Sequence, residues 1–331
     1  MRNTNSRVPP FFQGGTNPAF SVSGFLSLVF LLVALPSCAT VSRIDGRPLA
    51  AAAVPEDVRP LWRAFPLTDG EFGDNDHADL AYFSGKVSQP RLEFHALRVY
   101  LFSPAIRIVV ADGGPGDQTL STKVSSFVRD RDLVAGINVL PFDPVSGTEG
   151  EPRTNVGLVV SDGEMLSPPH SRFDALVFFD DGSAAIKSQS EIHDTDGIAN
   201  AVGGFLRILA GYEPVPRVLD LQPRHPRSAA GISSCGRFLY LLAVDGRRAG
   251  SVGSTEAETA LLLRALGAAE GINFDGGGST SLALRFPDGD VRVVNTPVHG
   301  HFPLGRERAV AGVLGIGKLV PDPEQPLPNH E

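Results

Sequence analysis

The amino-acid sequence predicts a single α+β domain built on mixed or antiparallel β-sheet, with a few packed helices. Short runs of β-branched residues recur along the 331-residue chain and are separated by Asp-Gly and Gly-Arg turns, whose residues tolerate positive φ. Helical periodicity is found in few segments, and strands and helices do not alternate regularly. A parallel sheet with crossover helices is therefore not expected.

Strands and turns dominate the N-terminal half of the predicted domain. Segment 122–132 is predicted as a helix because Val124, Phe127 and Val128 fall on one face. Hairpin turns are predicted at 161–163 and 180–183. The predicted strands cover 94–102, 105–111, 133–139, 156–160, 175–179 and 184–187.

The C-terminal half contains the clearest helix of the chain, at 256–266. Thr255 and Glu258 fit a capping box at its start, and Gly267 is placed to end it. Around this helix, strands are predicted at 229–232, 238–244, 271–275, 279–285, 291–295 and 309–316.

Residues 1–37 are predicted to be a signal peptide. Arg2 and Arg7 are the only charged residues among the first forty, and the apolar run at 25–35 is shorter than the roughly 20 residues that span a bilayer. Leu35-Pro36-Ser37-Cys38 resembles the lipobox of bacterial lipoproteins, which predicts lipidation of Cys38. The chain is then exported and lipid-anchored in the cell envelope, on its periplasmic or surface side. An ordinary secretory signal with a chance cysteine is the alternative.

The remainder of the chain is divided into a linker at 38–60, one folded domain at 61–318 and a flexible Pro-rich tail at 319–331. If Cys38 is lipidated, Cys235 is the only other cysteine. No intrachain disulfide is then expected, and Cys235 is interpreted as structural rather than nucleophilic.

The formal charge of −8 argues against a nucleic-acid partner, because such proteins usually need net positive charge to bind phosphates. An anionic small substrate would instead require arginines concentrated in a local site. Three short segments place polar residues at i and i+2, which share a face of an extended chain. The pairs expected to project together are His225 with Arg227, Asp245 with Arg247, and Asn273 with Asp275.

A glycine-rich segment, Gly276-Gly277-Gly278-Ser279-Thr280, follows the last of these pairs. Consecutive glycines let backbone N–H groups converge on an anion without obstruction from Cβ atoms. The spacing is neither a dinucleotide-binding nor a P-loop fingerprint, and a strand is expected to follow. Taken alone, the segment is equally typical of a glycine-rich turn capped by Asp275.

The ordered segments 225–232, 241–247 and 271–280, above all NFDGGGST, resemble the phosphodiester glycosidase family. The likeness covers most of the chain from about Phe94 to Ile316, and it implies hydrolysis of sugar-1-phosphodiester bonds of the GlcNAc-1-phosphate type. The chain departs from the family after Asn138, where Val139-Leu140-Pro141-Phe142 replaces glycine and aromatic residues. The implied site comprises Asn138, His225, Arg227, Asp245, Arg247, Glu258, Asn273, Asp275, Gly277, Gly278, Ser279, Asn295 and Arg308.

The resemblance also implies roles for these residues. A phosphate monoester is a stable leaving group, so an arginine clamp rather than a strong general acid is expected. Attack at the anomeric carbon still needs a carboxylate, for which Asp275 is the first choice. Asp245 and Glu258 are held in reserve, although a capping box also explains Glu258. His225 would bind phosphate or shuttle a proton. The substrate-binding set is Asn138, Arg227, Arg247, Asn273, Gly277, Gly278, Ser279, Asn295 and Arg308.

Two other functions remain open from the sequence. One is a non-catalytic envelope lipoprotein that binds anionic glycans, and the other is a metal-dependent phosphodiesterase that cleaves the P–O bond. No cofactor or catalytic metal is predicted, while a structural divalent cation stays open. His299-Gly300-His301 has a spacing that some zinc sites use, but no third ligand stands at a telling distance.

Overall fold

The computed structural model describes residues 79–110, 113–219, 223–300 and 305–318, together with the backbone of three two-residue strands nearer the N-terminus. The predicted signal peptide, Cys38 and the Pro-rich tail lie outside the described residues. Within the described part of the chain, no helix has both the length and the apolar composition needed to cross a membrane.

Antiparallel strands are the main regular elements of the described chain, and two α-helices pack against them. The helices are α1 (Val124–Asp130) and α2 (Glu256–Leu266). The strands are β1 (Arg43–Ile44), β2 (Arg47–Pro48), β3 (Arg63–Ala64), β4 (Leu80–Ser88), β5 (Arg91–Tyr100), β6 (Ile106–Val109), β7 (Gln118–Leu120), β8 (Ala135–Asn138), β9 (Phe142–Asp143), β10 (Pro152–Asn155), β11 (Val159–Ser161), β12 (Glu164–Ser167), β13 (Asp174–Phe179), β14 (Ala184–Ser188), β15 (Ile198–Gly203), β16 (Leu206–Ala210), β17 (Glu213–Pro214), β18 (Arg227–Ile232), β19 (Phe238–Val244), β20 (Glu270–Asn273), β21 (Leu282–Arg285), β22 (Val291–Val293) and β23 (Val313–Lys318).

The largest sheet has eight strands in the order β17-β16-β20-β18-β19-β5-β4-β3. Two sheets have five strands each, ordered β12-β11-β15-β13-β14 and β22-β21-β8-β23-β6, and smaller sheets join β7-β10-β9 and β1-β2. All strand pairs of the eight-stranded sheet are antiparallel. The predicted α+β class is confirmed, with antiparallel sheet as its main component.

The eight-stranded sheet is covered on both faces. On one face, Phe94 and Leu242 pack against Leu263 of α2. On the other, Leu97 and Leu241 belong to the largest apolar cluster, which also contains buried residues of both five-stranded sheets. Alternation of side chains along β5 and β19 produces this two-sided burial. A third cluster joins α1 to the β21-β8-β23 region through Val124, Phe127, Val128, Ala283 and Val313.

The prediction for α2 is confirmed in its bounds and both ends. Thr255 Oγ1 accepts a hydrogen bond from the Glu258 N–H, and the Glu258 carboxylate accepts one from the Thr255 N–H. Gly267 follows the helix with a φ of 111°, which is left-handed and favours glycine. Local sequence therefore determined this helix.

Several predicted strand starts were wrong by three or four residues, and several strands were missed, among them β4, β10, β15 and β16. Residues 277–279 form a 3₁₀ turn, so the strand predicted from 279 begins only at Leu282. The strand predicted from 309 begins at Val313. The missed strand β4 contains Gly85, where a Cβ would lie 2.5 Å from the Phe94 ring. Glycine is thus required there by packing across the hairpin, which a local pattern does not reveal.

Cys235 corrects another expectation. It is disulfide-bonded, and no described cysteine has a free thiol. The expectation of no intrachain disulfide depended on lipidation of Cys38, and it does not agree with this disulfide. The only other cysteine of the sequence is Cys38, which lies outside the described residues, and its lipidation stays a prediction.

Candidate active site

The candidate site lies at the ends of three interior strands of the large sheet, where β18 begins and where β19 and β20 end. The loops that meet there approach backbone to backbone. A Cβ at Gly246 would lie 2.6 Å from Pro226 N, one at Gly253 would lie 2.6 Å from His225 C, and one at Gly276 would lie 2.6 Å from Pro226 O. Only glycine permits these approaches, so the three positions bring the loops together.

Asp275 is held through its backbone by the end of β8. Its N–H donates to Val139 O at 2.6 Å, and Asn138 Nδ2 donates to Asp275 O at 2.7 Å. Asn138 Oδ1 accepts from Ser228 Oγ at 2.6 Å and from Ser281 N at 3.0 Å. Both ends of the buried Asn138 amide are therefore used inside the protein, and they fix where Asp275 lies.

The carboxyl group of Asp275 has an unusual electrostatic environment. Burial raises its pKa. Three groups oppose this rise by favouring the charged form, namely the Ser279 hydroxyl, the Arg308 guanidinium and the Gly276 N–H. A carboxyl whose pKa is moved towards neutrality is suited to exchange a proton during a reaction.

Two backbone N–H groups of the glycine turn, which was expected to offer donors to an anion, are bonded inside the protein. Gly277 N donates to Pro226 O at 2.8 Å, and Ser279 N donates to Gly276 O at 3.2 Å. The glycines instead make room for two arginines. A Cβ at Gly277 would lie 3.1 Å from Arg247 Nη2, and one at Gly278 would lie 2.5 Å from Arg308 Nη2.

Among the described residues, no carboxylate lies at ion-pair distance from Arg247 or Arg308, and in this sense both cations are uncompensated. Of the described carboxylates, only Asp275 acts on Arg308, through its longer-range charge. Arg308 Nη1 donates to Ser279 Oγ at 3.1 Å. Burial lowers the pKa of Arg308, Asp275 opposes that change, and the charge of Arg247 adds to it. Two like charges close enough to interact, without a carboxylate partner, favour an anionic ligand.

Each of these arginines contacts a histidine. Arg247 Nη2 lies 3.4 Å from His225 Nδ1, and Arg308 Nε donates to His299 Nδ1 at 3.2 Å. The pKa of His225 is lowered by burial and by the charges of Arg227 and Arg247. The pKa of His299 is lowered by burial, Arg308 and Arg306. We call the following set the glycine-turn cluster: His225, Arg247, Asp275, Gly277, Gly278, Ser279, His299 and Arg308.

A family model for phosphodiester glycosidases matches residues 131–317, which is more than half of the chain. The chain belongs to the phosphodiester glycosidase family. All residues of the glycine-turn cluster lie within the matched range. At the family level, this supports a hydrolase that acts on phosphodiester-linked sugars.

The chain spans about a fifth of the length of the curated relative that it matches. An uncharacterized protein of the SPbeta prophage, YomE of Bacillus subtilis strain 168, is 30% identical over 143 residues, which cover 39% of this chain and 22% of that protein. The zebrafish N-acetylglucosamine-1-phosphodiester alpha-N-acetylglucosaminidase catalytic domain, auto-inhibited by its pro-peptide, has a TM-score of 0.54 at 20% identity, covering 74% of this chain and 85% of that one. A hypothetical protein from Synechocystis has a TM-score of 0.55 at 14% identity, covering 72% and 62%. These structures establish a shared fold.

Arg227 does not share the contacts of His225, although the two were expected to project together. Its Nε donates to Ser254 O at 3.2 Å, and its Nη1 lies 3.4 Å from Glu256 at the start of α2. Arg227 is buried there, and only its charge reaches His225. The predicted arginine clamp is therefore reduced to Arg247 and Arg308.

Asp245 pairs with Arg248, not with Arg247 as predicted. Arg247 adopts a left-handed backbone with a φ of 58°, which ends the extended geometry on which that prediction depended. Asp245 also accepts a hydrogen bond from Thr296 N at 2.7 Å and is 1% exposed. Arg248 is held from the other side by Glu93. We call Asp245, Arg248, Glu93, Asn295 and Thr296 the Asp245 cluster.

The remaining predicted residues have mainly structural contacts. Glu258 forms the α2 capping box and an ion pair with Arg224. Asn295 Oδ1 accepts from Leu282 N at 2.8 Å. Asn273 is buried on β20, and its Oδ1 has no hydrogen-bond partner among the described residues.

His299 is a site residue that the sequence did not identify. Its spacing to His301 suggested only a zinc site, and no pattern in the sequence linked His299 to Arg308. His301 lies outside the described residues. Among the residues that the structure describes, no group of three or more His, Cys, Asp or Glu side chains could hold a metal ion.

Proposed function

We propose that this chain hydrolyses sugar-1-phosphodiesters of the GlcNAc-1-phosphate type, at the bond between the anomeric carbon and the phosphate oxygen. The observation that carries the proposal is the pair of uncompensated arginines, Arg247 and Arg308, over a glycine turn that begins at Asp275. The pair supplies charge for a phosphodiester, and Asp275 supplies a carboxyl group close to it.

The arginines would act on the leaving group. A phosphodiester carries one negative charge, and a phosphate monoester gains charge as it departs. Guanidinium groups held beside it stabilise that developing charge more than the charge of the bound substrate, which lowers the barrier. Because Gly277 and Gly278 have no Cβ atoms, both arginines can lie against the turn.

Asp275 would act at the anomeric carbon. An oxygen of water or of the carboxylate bonds to that carbon, the carbon–oxygen bond to phosphate breaks, and its electron pair remains on the phosphate oxygen. If the carboxylate attacks, water must then displace it from the anomeric carbon, which frees the carboxylate and releases the sugar. If water attacks, its proton passes to Asp275. The raised pKa of Asp275 favours this proton transfer.

The decisive assay incubates the full chain with a GlcNAc-1-phosphodiester, or with UDP-GlcNAc, and measures released GlcNAc. Hydrolysis in oxygen-18 water should place the label in the sugar. Label in phosphate would show P–O cleavage and would contradict the proposal, and a protein that binds the compound but releases no sugar would be a glycan-binding lipoprotein instead. Activity that survives EDTA would separate this reaction from that of a metal-dependent phosphodiesterase.

Export to the cell envelope is part of the proposal. The apolar N-terminal segment supports it, and so does a disulfide at Cys235, because disulfides persist mainly in oxidising compartments. A lipid thioether on Cys38 and a disulfide between Cys38 and Cys235 would use the same sulfur. Intact mass of the membrane-extracted protein, with and without reductant, tells which form exists, and an unprocessed chain in the cytoplasm would contradict export.

A further inference from the structure

Arg247 and Arg308 are arranged alike. Each guanidinium lies against one glycine of the turn, and each has a histidine Nδ1 within 3.4 Å. Neither contacts a described carboxylate at ion-pair distance, whereas Arg227 and Arg248 do. An imidazole that accepts a hydrogen bond holds an arginine without cancelling its charge.

We propose that His299 is a positioning residue that sets the orientation of Arg308 in the phosphate-binding site. The inference rests on the proposed function and adds to it a residue that contacts no substrate. His299 Nδ1 accepts a hydrogen bond from Arg308 Nε at 3.2 Å, and Ser279 Oγ accepts one from Arg308 Nη1 at 3.1 Å. Because Nε and Nη1 of the planar guanidinium are both hydrogen-bonded, its third nitrogen, Nη2, is held over Gly278.

The hydrogen-bond chemistry fixes the state of His299. Arginine offers only donors, so Nδ1 must be the acceptor and the ring proton must be on Nε2. Burial and the neighbouring charges of Arg308 and Arg306 favour this neutral ring by lowering its pKa. A carboxylate at this position would hold Arg308 equally well, but it would neutralise the charge that a phosphate needs.

Three substitutions of His299 separate the effect of the hydrogen-bond acceptor from the effect of charge. His299→Gln keeps an acceptor for Arg308, His299→Leu removes it, and His299→Glu keeps it but adds a negative charge. His299→Leu is expected to weaken inorganic phosphate binding about tenfold, the usual scale for a hydrogen bond to a charged group. His299→Gln should stay within about threefold of the natural chain, and His299→Glu should bind phosphate more weakly than His299→Leu.

The test uses the full chain. Inorganic phosphate is titrated by calorimetry, and KM and kcat are measured on a GlcNAc-1-phosphodiester. The Leu variant should show its loss mainly in KM. Thermal melting checks that each variant is folded, and His193→Gln, at an exposed histidine, is the matched control that should leave phosphate binding unchanged.

The positioning role is overturned if the folded Leu variant binds phosphate as the natural chain does, or if the Gln variant loses as much affinity as the Leu variant. The latter result would mean that ring packing matters rather than the acceptor. A natural chain that does not bind phosphate also overturns it. If the variant order holds but no sugar is released, the proposed function fails while the positioning role stands.

Discussion

Arg247 and Arg248 are neighbours in one loop after β19, yet they have opposite environments. Arg248 lies between two carboxylates, Asp245 and Glu93. Burial alone would lower the pKa of Arg248, but the two carboxylates outweigh burial and raise it. Arg247 turns the other way through its left-handed backbone and lies against Gly277, where no described carboxylate pairs with it.

The contrast between these two arginines distinguishes a cluster that stabilises the fold from a cluster suited to bind a ligand. In the Asp245 cluster, the cation of Arg248 is paired with the carboxylates of Asp245 and Glu93, as stability requires of buried ions. In the glycine-turn cluster, two guanidinium groups remain unmatched beside a carboxyl group with a raised pKa. Charged groups without a partner of opposite charge lower stability, and they are typical of sites where a ligand supplies the opposite charge. Residue type alone would not distinguish the two clusters.

The largest effect expected is on catalysis by the glycine-turn cluster. Asp275→Asn should lower kcat/KM for sugar release by about 10³-fold, the middle of the range for a lost acid or base. Its melting temperature at neutral pH should be unchanged or higher, because the buried charge is removed. Sugar release and thermal melting measure the two quantities. Full activity in the variant would remove Asp275 from the mechanism.

The second effect concerns the Asp245 cluster. Arg248→Met leaves the buried Asp245 without its cation and should lower the free energy of unfolding by about 3 kcal/mol, measured by chemical denaturation. Arg247→Met is the matched control one residue away. It should leave the free energy of unfolding nearly unchanged and weaken phosphate binding about tenfold. Equal stability losses in both variants would erase the distinction between the clusters.

A smaller effect on phosphate binding is expected when a side chain is added to the glycine turn. Gly278→Ala would place a Cβ 2.5 Å from Arg308 Nη2, so the guanidinium must move. Because a side-chain end yields more readily than backbone, phosphate affinity should fall several-fold with little loss of stability. Calorimetry with phosphate checks the first result and thermal melting the second. Unchanged affinity would mean that Arg308 does not bind the anion from this position.

The smallest effect is a pH dependence of stability. Since the pKa of Asp275 is raised, the folded chain holds this proton more tightly than the unfolded chain does. The stabilisation is complete below the ordinary aspartate pKa and is lost as pH rises through the raised folded value. The melting temperature of Asp275→Asn minus that of the natural chain should therefore increase across this window. A constant difference would show that Asp275 titrates normally.

Local chemistry made several features predictable. The α2 bounds follow from Thr255, Glu258 and Gly267, which satisfy the helix ends without outside help. The β18–β19 hairpin follows from an apolar run on either side of a short turn. The order of motifs around Asp275 was enough to predict the family, which the matched range 131–317 confirms.

Other features could not be predicted because they depend on residues far apart in the chain. The i and i+2 rule failed for Asp245 and Arg247, since a left-handed residue ended the strand geometry. Glu93, from β5, lies 155 positions before Arg248 but determines which arginine is held. His299 gained its role only where the chain folds its Nδ1 against Arg308.

The sequence by itself determined both ends of α2, the β18–β19 hairpin and the family, because each depends on residues within a few positions or on their order. Only the tertiary structure decided which charges are matched. That outcome depends on distances between side chains from separate strands, and electrostatic energy changes steeply with distance and burial. It is why Arg248 became part of the framework and Arg247 part of the candidate site.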